Sequence, residues 1–144
     1  MILVSFAIIL LWGVWGCAGK LALEHHMSPI ALFLTEALCG FLCALVVILA
    51  MTLRQDTLPW KQPVNLYGFL SGISLAIGLL LYCWTMQKGT VTVVVPLTSI
   101  YPVASILLSR MFLGEKPTTW QWVGLVLAVA GAALLVSAEN AVQE

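Results

Sequence analysis

Most of the chain consists of long stretches without a charged side chain. Residues 1–19, 62–87, 89–109 and 117–138 contain no Asp, Glu, Lys or Arg, and residues 27–53 contain one, Glu36. Each stretch is near or above the roughly 20 apolar residues that a helix needs to cross the hydrocarbon core of a bilayer. Soluble domains carry about 25% charged residues. Here the share is 8%, with 62% hydrophobic residues and a mean hydropathy of +1.07. Lipid rather than water therefore faces most of the surface. The expected fold is an all-α integral membrane protein, a bundle of five transmembrane helices at residues 2–22, 29–52, 65–87, 91–112 and 118–138. These form one membrane domain over residues 1–138, followed by a short polar tail at 139–144. Transmembrane β-strands would show strict alternation over about ten residues, and no segment does.

The connectors are short and carry Pro29, Pro59, Pro63 and Pro117, as expected between antiparallel neighbours. The first span lacks a basic leading segment and a small-residue cleavage site, so it reads as a retained helix rather than a signal peptide. With five spans, the N-terminus and the loops at 54–63 and 114–118 share one side, which collects Arg54, Lys61, Arg110 and Lys116. The opposite side has Lys20 and Lys88. This bias places the N-terminus in the cytoplasm; the expected location is a bacterial cytoplasmic membrane. Trp60, Tyr67, Trp120 and Trp122 gather on the same basic side as headgroup anchors.

Within the spans, helical spacing sorts residues into faces. Gly68, Gly72 and Ala76 form one small-residue stripe, and Gly124, Ala128 and Ala132 form another. Such stripes let helices approach closely in lipid, and the second is the expected dimer-packing face. Two polar stripes stand out: Ser71, Ser74, Gly78, Tyr82 and Thr85 on the third span, and Thr98, Tyr101, Ser105 and Ser109 on the fourth. Hydroxyls in membrane helices commonly bond their own backbone, but stripes on two helices also fit a shared polar interior. Pro96 and Pro102 break the fourth span, and each removes an N–H that a carbonyl four residues back needs. They read either as a hinge lining a path or as a static packing kink.

Glu36 is the most informative residue. It lies about 10 Å along the helix from Pro29, too deep to reach the interface easily. A carboxyl there must be protonated, paired or beside water. It reads either as a titratable site for a proton or cation, or as a neutral acid bonded to Thr35, Tyr82 or another helix. Lys20 sits close enough to its helix end to snorkel. Cys17, Cys39, Cys43 and Cys83 lie inside spans, where a free cysteine behaves as a small hydrophobe. His25 and His26 form a solvated pair in a short polar loop. No metal set or bound cofactor is indicated, and no nucleophile has a nearby base, so an enzyme is the weakest reading.

The runs WGVWGCAGKLAL (residues 12–23), KGTVTVVVPLTSIYPVASILLSRMFLGEKPT (88–118) and WQWVGLVLAVAGAALLV (120–136) resemble, in order, one EamA-type repeat of the drug/metabolite transporter superfamily. The most specific match is the proline pair followed by Leu113, Gly114 and Glu115; the Trp-Gly opening that ends in Lys20 supports it. Longer members carry two inverted repeats, and frequently a basic residue in the middle of the second helix, where this chain has Glu36. The resemblance implies a carrier of small molecules working by alternating access, with its site where repeats meet. A single repeat then acts as a homodimer, possible in antiparallel form, or as a heterodimer with a related short repeat. Its partners are membrane lipids and a small-molecule substrate, with no role for nucleic acid. Glu36, Trp15, Lys20, Tyr82, Thr98, Tyr101 and Ser105 are the substrate or coupling-ion candidates. The alternative is a non-transporting subunit that stabilises or regulates a partner membrane protein.

Overall fold

The computed structural model describes residues 2–54 and 65–143, the side chains of 139–143 excepted. Pro59, Trp60, Lys61 and Pro63 lie outside the described residues. The rest is helical: α1 (Ile2–Glu24), α2 (Pro29–Leu53), α3 (Leu66–Lys88), α4 (Val91–Thr98), α5 (Tyr101–Phe112) and α6 (Thr119–Gln143). Five segments are long and apolar enough to span a membrane, with α4 and α5 together making the fourth, Val91–Phe112. The protein is thus the five-span, all-α membrane protein expected from its charge-free runs. α6 continues beyond Ala138 to Gln143, so most of the expected polar tail extends that helix.

Local chemistry sets the helix ends. Ser28 caps α2, its hydroxyl accepting from the Ala31 N–H at 3.2 Å, and Pro29 fills the first turn, where its missing N–H does no harm. Asn65 caps α3 through the Gly68 N–H at 2.8 Å. At α6, Thr118 and Gln121 bond reciprocally, the Thr118 N–H reaching Gln121 Oε1 at 2.6 Å and the Gln121 N–H reaching Thr118 Oγ1 at 3.4 Å. Two residues with positive φ end helices. His26, at φ 68°, lets the Met27 N–H return to the Ala22 carbonyl after α1. Gly114, at φ 67°, follows α5 in the conformation that glycine adopts without steric cost.

The chain divides into two compact units, Met1–Lys88 and Gly89–Glu144. In the first, α1, α2 and α3 all touch one another, and their packing is concentrated at one end. Every α1 residue that is not exposed lies between Trp15 and Leu23, and every such α3 residue between Leu79 and Met86. On α2 they run from Pro29 to Glu36, with Ile48 and Met51 half-buried farther along. Cys83 and Met86 are fully enclosed. The other halves of α1 and α3, residues 2–14 and 66–78, are exposed throughout.

In the second unit α4 packs on α6. The fourth span breaks at Ser99 and Ile100, between Pro96 inside α4 and Pro102 in the first turn of α5. The Ser99 N–H still reaches four residues back to Val95, but Ile100 and Val103 reach only three back, to Leu97 and Ile100. The helix therefore tightens locally where Pro102 has no N–H to offer the Thr98 carbonyl. Between α5 and α6 lies a wholly apolar crevice of about 360 Å³, lined by Val103, Trp122 and Leu125 among others.

The uneven packing yields a direct expectation. Met86→Ala should lower stability by about 2–5 kcal/mol through cavity formation, whereas Leu75→Ala, at a residue 72% exposed, should leave it nearly unchanged. Thermal unfolding in detergent micelles reads both.

Candidate functional site

Glu36 occupies the packed end of the first unit. On α2 it is seven residues beyond Pro29, about 10 Å along the axis, somewhat nearer the centre of the span than that end. Trp15 on α1 donates its indole N–H to Glu36 Oε1 at 2.6 Å. From α3, the Cys83 thiol donates to Glu36 Oε2 at 3.7 Å. Each carboxylate oxygen thus has one neutral donor, each from a different helix. Of the partners considered from sequence, it is other helices that serve, through Trp15 and Cys83: the Thr35 hydroxyl donates to the Ala31 carbonyl at 2.8 Å, and the Tyr82 hydroxyl is buried without a hydrogen-bond partner among the described residues.

Tyr82 stacks on Trp15, with ring centroids 4.6 Å apart and planes 22° from parallel. The stack fixes the indole that holds Glu36 and sets the Tyr82 ring within the same cluster. Lys20 lies five residues beyond Trp15 toward the end of α1. Its ammonium donates to the Met86 carbonyl at 3.2 Å and stands 4.0 Å from Glu24 Oε1. The Lys20 side chain is 20% exposed and that of Glu24 59%, so this pair sits at the mouth above the deeper carboxylate.

Four of the seven candidates, Trp15, Lys20, Glu36 and Tyr82, therefore share one cluster. Thr98, Tyr101 and Ser105 belong to the second unit and are exposed. The Thr98 hydroxyl turns back on its own helix, to the carbonyls of Val94 at 2.7 Å and Val95 at 3.0 Å. Pro96 and Pro102 flank the break and are half-buried. Along α6, Gly124 and Ala128 are open while Ala132 is 5% exposed, so that stripe is divided between a free and a covered part. Cys83, which donates to Glu36, is the member of this cluster that sequence reasoning did not single out. Only its place beside Tyr82 sets it apart from the other three cysteines, all exposed. A crevice of about 400 Å³ along Leu81, Trp84, Thr85, Gln87 and Lys88 includes none of the cluster. No group of three metal-ligating side chains occurs among the described residues.

A five-span chain with a carboxylate set among membrane helices defines an integral membrane protein whose polar chemistry lies inside its spans. The profile of the EamA-like transporter family matches residues 1–137, and the chain belongs to that family. It is a membrane transport protein rather than an enzyme. An uncharacterised protein of Methanocaldococcus jannaschii is 28% identical over 134 residues, 93% of this chain and 94% of its own length. A probable 4-amino-4-deoxy-L-arabinose-phosphoundecaprenol flippase subunit ArnE of Yersinia pseudotuberculosis is 29% identical over 89 residues, 57% of this chain and 78% of its own. An uncharacterised transporter of Synechocystis is 28% identical over 100 residues, which cover 65% of this chain and only 29% of that protein. No solved structure matches the chain.

The opposite bonding of Trp15 and Tyr82 sets two substitutions against each other. Trp15→Phe strips the donor from Glu36 and should lower stability, by about 1–3 kcal/mol. Tyr82→Phe removes a buried hydroxyl that has no partner among the described residues and should leave ligand-free stability equal or higher. Paired melting curves in one detergent test this, and a larger loss for Tyr82→Phe would contradict the bonding described.

Proposed function

We propose that this chain is a transporter subunit that moves small metabolites or amphipathic compounds, lipid-linked ones included, by alternating access as a dimer. Glu36 is the binding or proton-coupling group. The observation that carries this reading is the Glu36 carboxylate, set about 10 Å into a span and held, among the described residues, by neutral donors. Such a group is expensive in lipid unless a proton or a bound cation compensates it. Likeness to a flippase subunit supports an amphipathic cargo. The same likeness, to a protein named as a subunit, is also compatible with an auxiliary role beside a partner.

The charge bias puts the N-terminus in the cytoplasm, so Glu36 lies in the outer half of a bacterial inner membrane. Gly124 and Ala128 supply the dimer contact, and Ala132 packs within the chain. The break between Pro96 and Pro102 serves as hinge, and Thr98, Tyr101 and Ser105 line the path on the exposed side of the fourth span.

A compound that stabilises the purified protein thermally can be chosen from a metabolite library and followed in proteoliposomes. Uptake driven by an imposed pH gradient should be lost in Glu36→Gln, which keeps an oxygen for the Trp15 N–H. Undiminished uptake would remove Glu36 from the mechanism, and absence of uptake by the parent protein would leave the auxiliary role. Separately, Gly124→Leu and Ala128→Leu should each shift the protein toward monomer, as read by cross-linking in lipid. If both variants associate like the parent, the contact lies on another face.

A further inference from the structure

We propose that the cluster of Glu36, Tyr82 and Lys20 binds a zwitterionic headgroup, its ammonium at Glu36 and its phosphate at Lys20. The inference rests on the reading of Glu36 as a ligand group and adds the class of ligand. The two charges stand at different depths on packed helices. Trp15, which holds Glu36, is five residues below Lys20 on α1, an axial rise of about 7.5 Å. Cys83, the other donor to Glu36, is three residues below Met86, whose carbonyl holds the Lys20 ammonium; that rise is about 4.5 Å. The Glu36 carboxyl thus lies deeper in the span than the Lys20 ammonium, an order that a ligand with its amine below and its phosphate above would match.

The polar groups present can meet such a headgroup. An ammonium needs acceptors, and the Trp15 and Cys83 bonds leave lone pairs on both Glu36 oxygens. The buried Tyr82 hydroxyl, unpartnered among the described residues, supplies a further acceptor, and the neighbouring aromatic faces favour a cation. At the mouth the present anion beside Lys20 is Glu24, at 4.0 Å on a largely exposed side chain. A ligand phosphate replaces it, and Glu24 turns to solvent. Glu24 is thus a placeholder that competes with the phosphate.

The test is calorimetric titration of the full chain in maltoside micelles, which carry neither charge, with ethanolamine, inorganic phosphate, O-phosphoethanolamine and dihexanoylphosphatidylethanolamine. O-Phosphoethanolamine should bind at least tenfold more tightly than ethanolamine or phosphate. A further gain with the dihexanoyl compound marks a lipid as the source, and equal affinity a free zwitterion; both support the proposed site. Glu36→Gln should weaken ethanolamine and O-phosphoethanolamine alike, with Glu36→Asp retaining part of the affinity. Lys20→Gln should weaken O-phosphoethanolamine about tenfold and leave ethanolamine unchanged, and Glu24→Gln should tighten O-phosphoethanolamine only. Equal affinity for ethanolamine and O-phosphoethanolamine, or equal weakening of both by Lys20→Gln, overturns the proposal. If no zwitterion binds while Glu36-dependent proteoliposome uptake persists, the headgroup assignment fails and the transport reading stands. Loss of that uptake dependence is the separate outcome that removes the transport role of Glu36.

Discussion

Helices in lipid have no hydrophobic force drawing them together, because the surrounding tails are as apolar as their own side chains. Where they meet is decided by close packing and by polar groups that cannot be left alone. In the first unit that role falls to Glu36. Its two oxygens take one donor from α1 and one from α3, so a single carboxylate on α2 links all three helices. The enclosed residues of this unit, Leu23, Leu32, Cys83 and Met86, belong to the same packed end. The stacked Trp15 and Tyr82 rings, and Lys20 on the Met86 carbonyl, then follow from that meeting point.

The polar side chains fall into two groups with different consequences. Most hydroxyls close on their own backbone three or four residues back: Thr35 on Ala31, Thr52 on Ile48, Thr85 on Leu81, Ser109 on Ile106. They satisfy themselves and do not require a neighbouring helix. Glu36 instead accepts from Trp15 and Cys83, on two other helices. The difference explains why one acid organises three helices while Thr98, Tyr101 and Ser105 lie exposed on α4 and α5.

Much of this was legible in the sequence. Absence of charge fixed the spans almost to the residue, since span length follows from bilayer thickness. Glu36 and Lys20 announced themselves as charges in apolar surroundings, and the proline pair marked the fourth span. What could not be read was pairing across helices. Periodicity assigns a residue to a face but not that face to a partner, so Thr35, Tyr82 or another helix stood open for Glu36, and the particular donors, Trp15 and Cys83, could not be named. Cys83 also escaped because a thiol resembles a hydrophobe until an acceptor is beside it. The stripe of Gly124, Ala128 and Ala132 looked uniform in sequence, yet it is covered only at Ala132.

The concentration of contacts at one end of α1, α2 and α3 gives the first unit mechanical leverage. From Trp15 to Ile2 the helix extends about 20 Å with no packed side chain along it. A rotation of roughly 10° about the Glu36 junction would carry the far tip of such a helix by some 3–4 Å at that length. Small rearrangements around one carboxylate are thereby magnified into displacements the width of an atom or more at the opposite membrane surface.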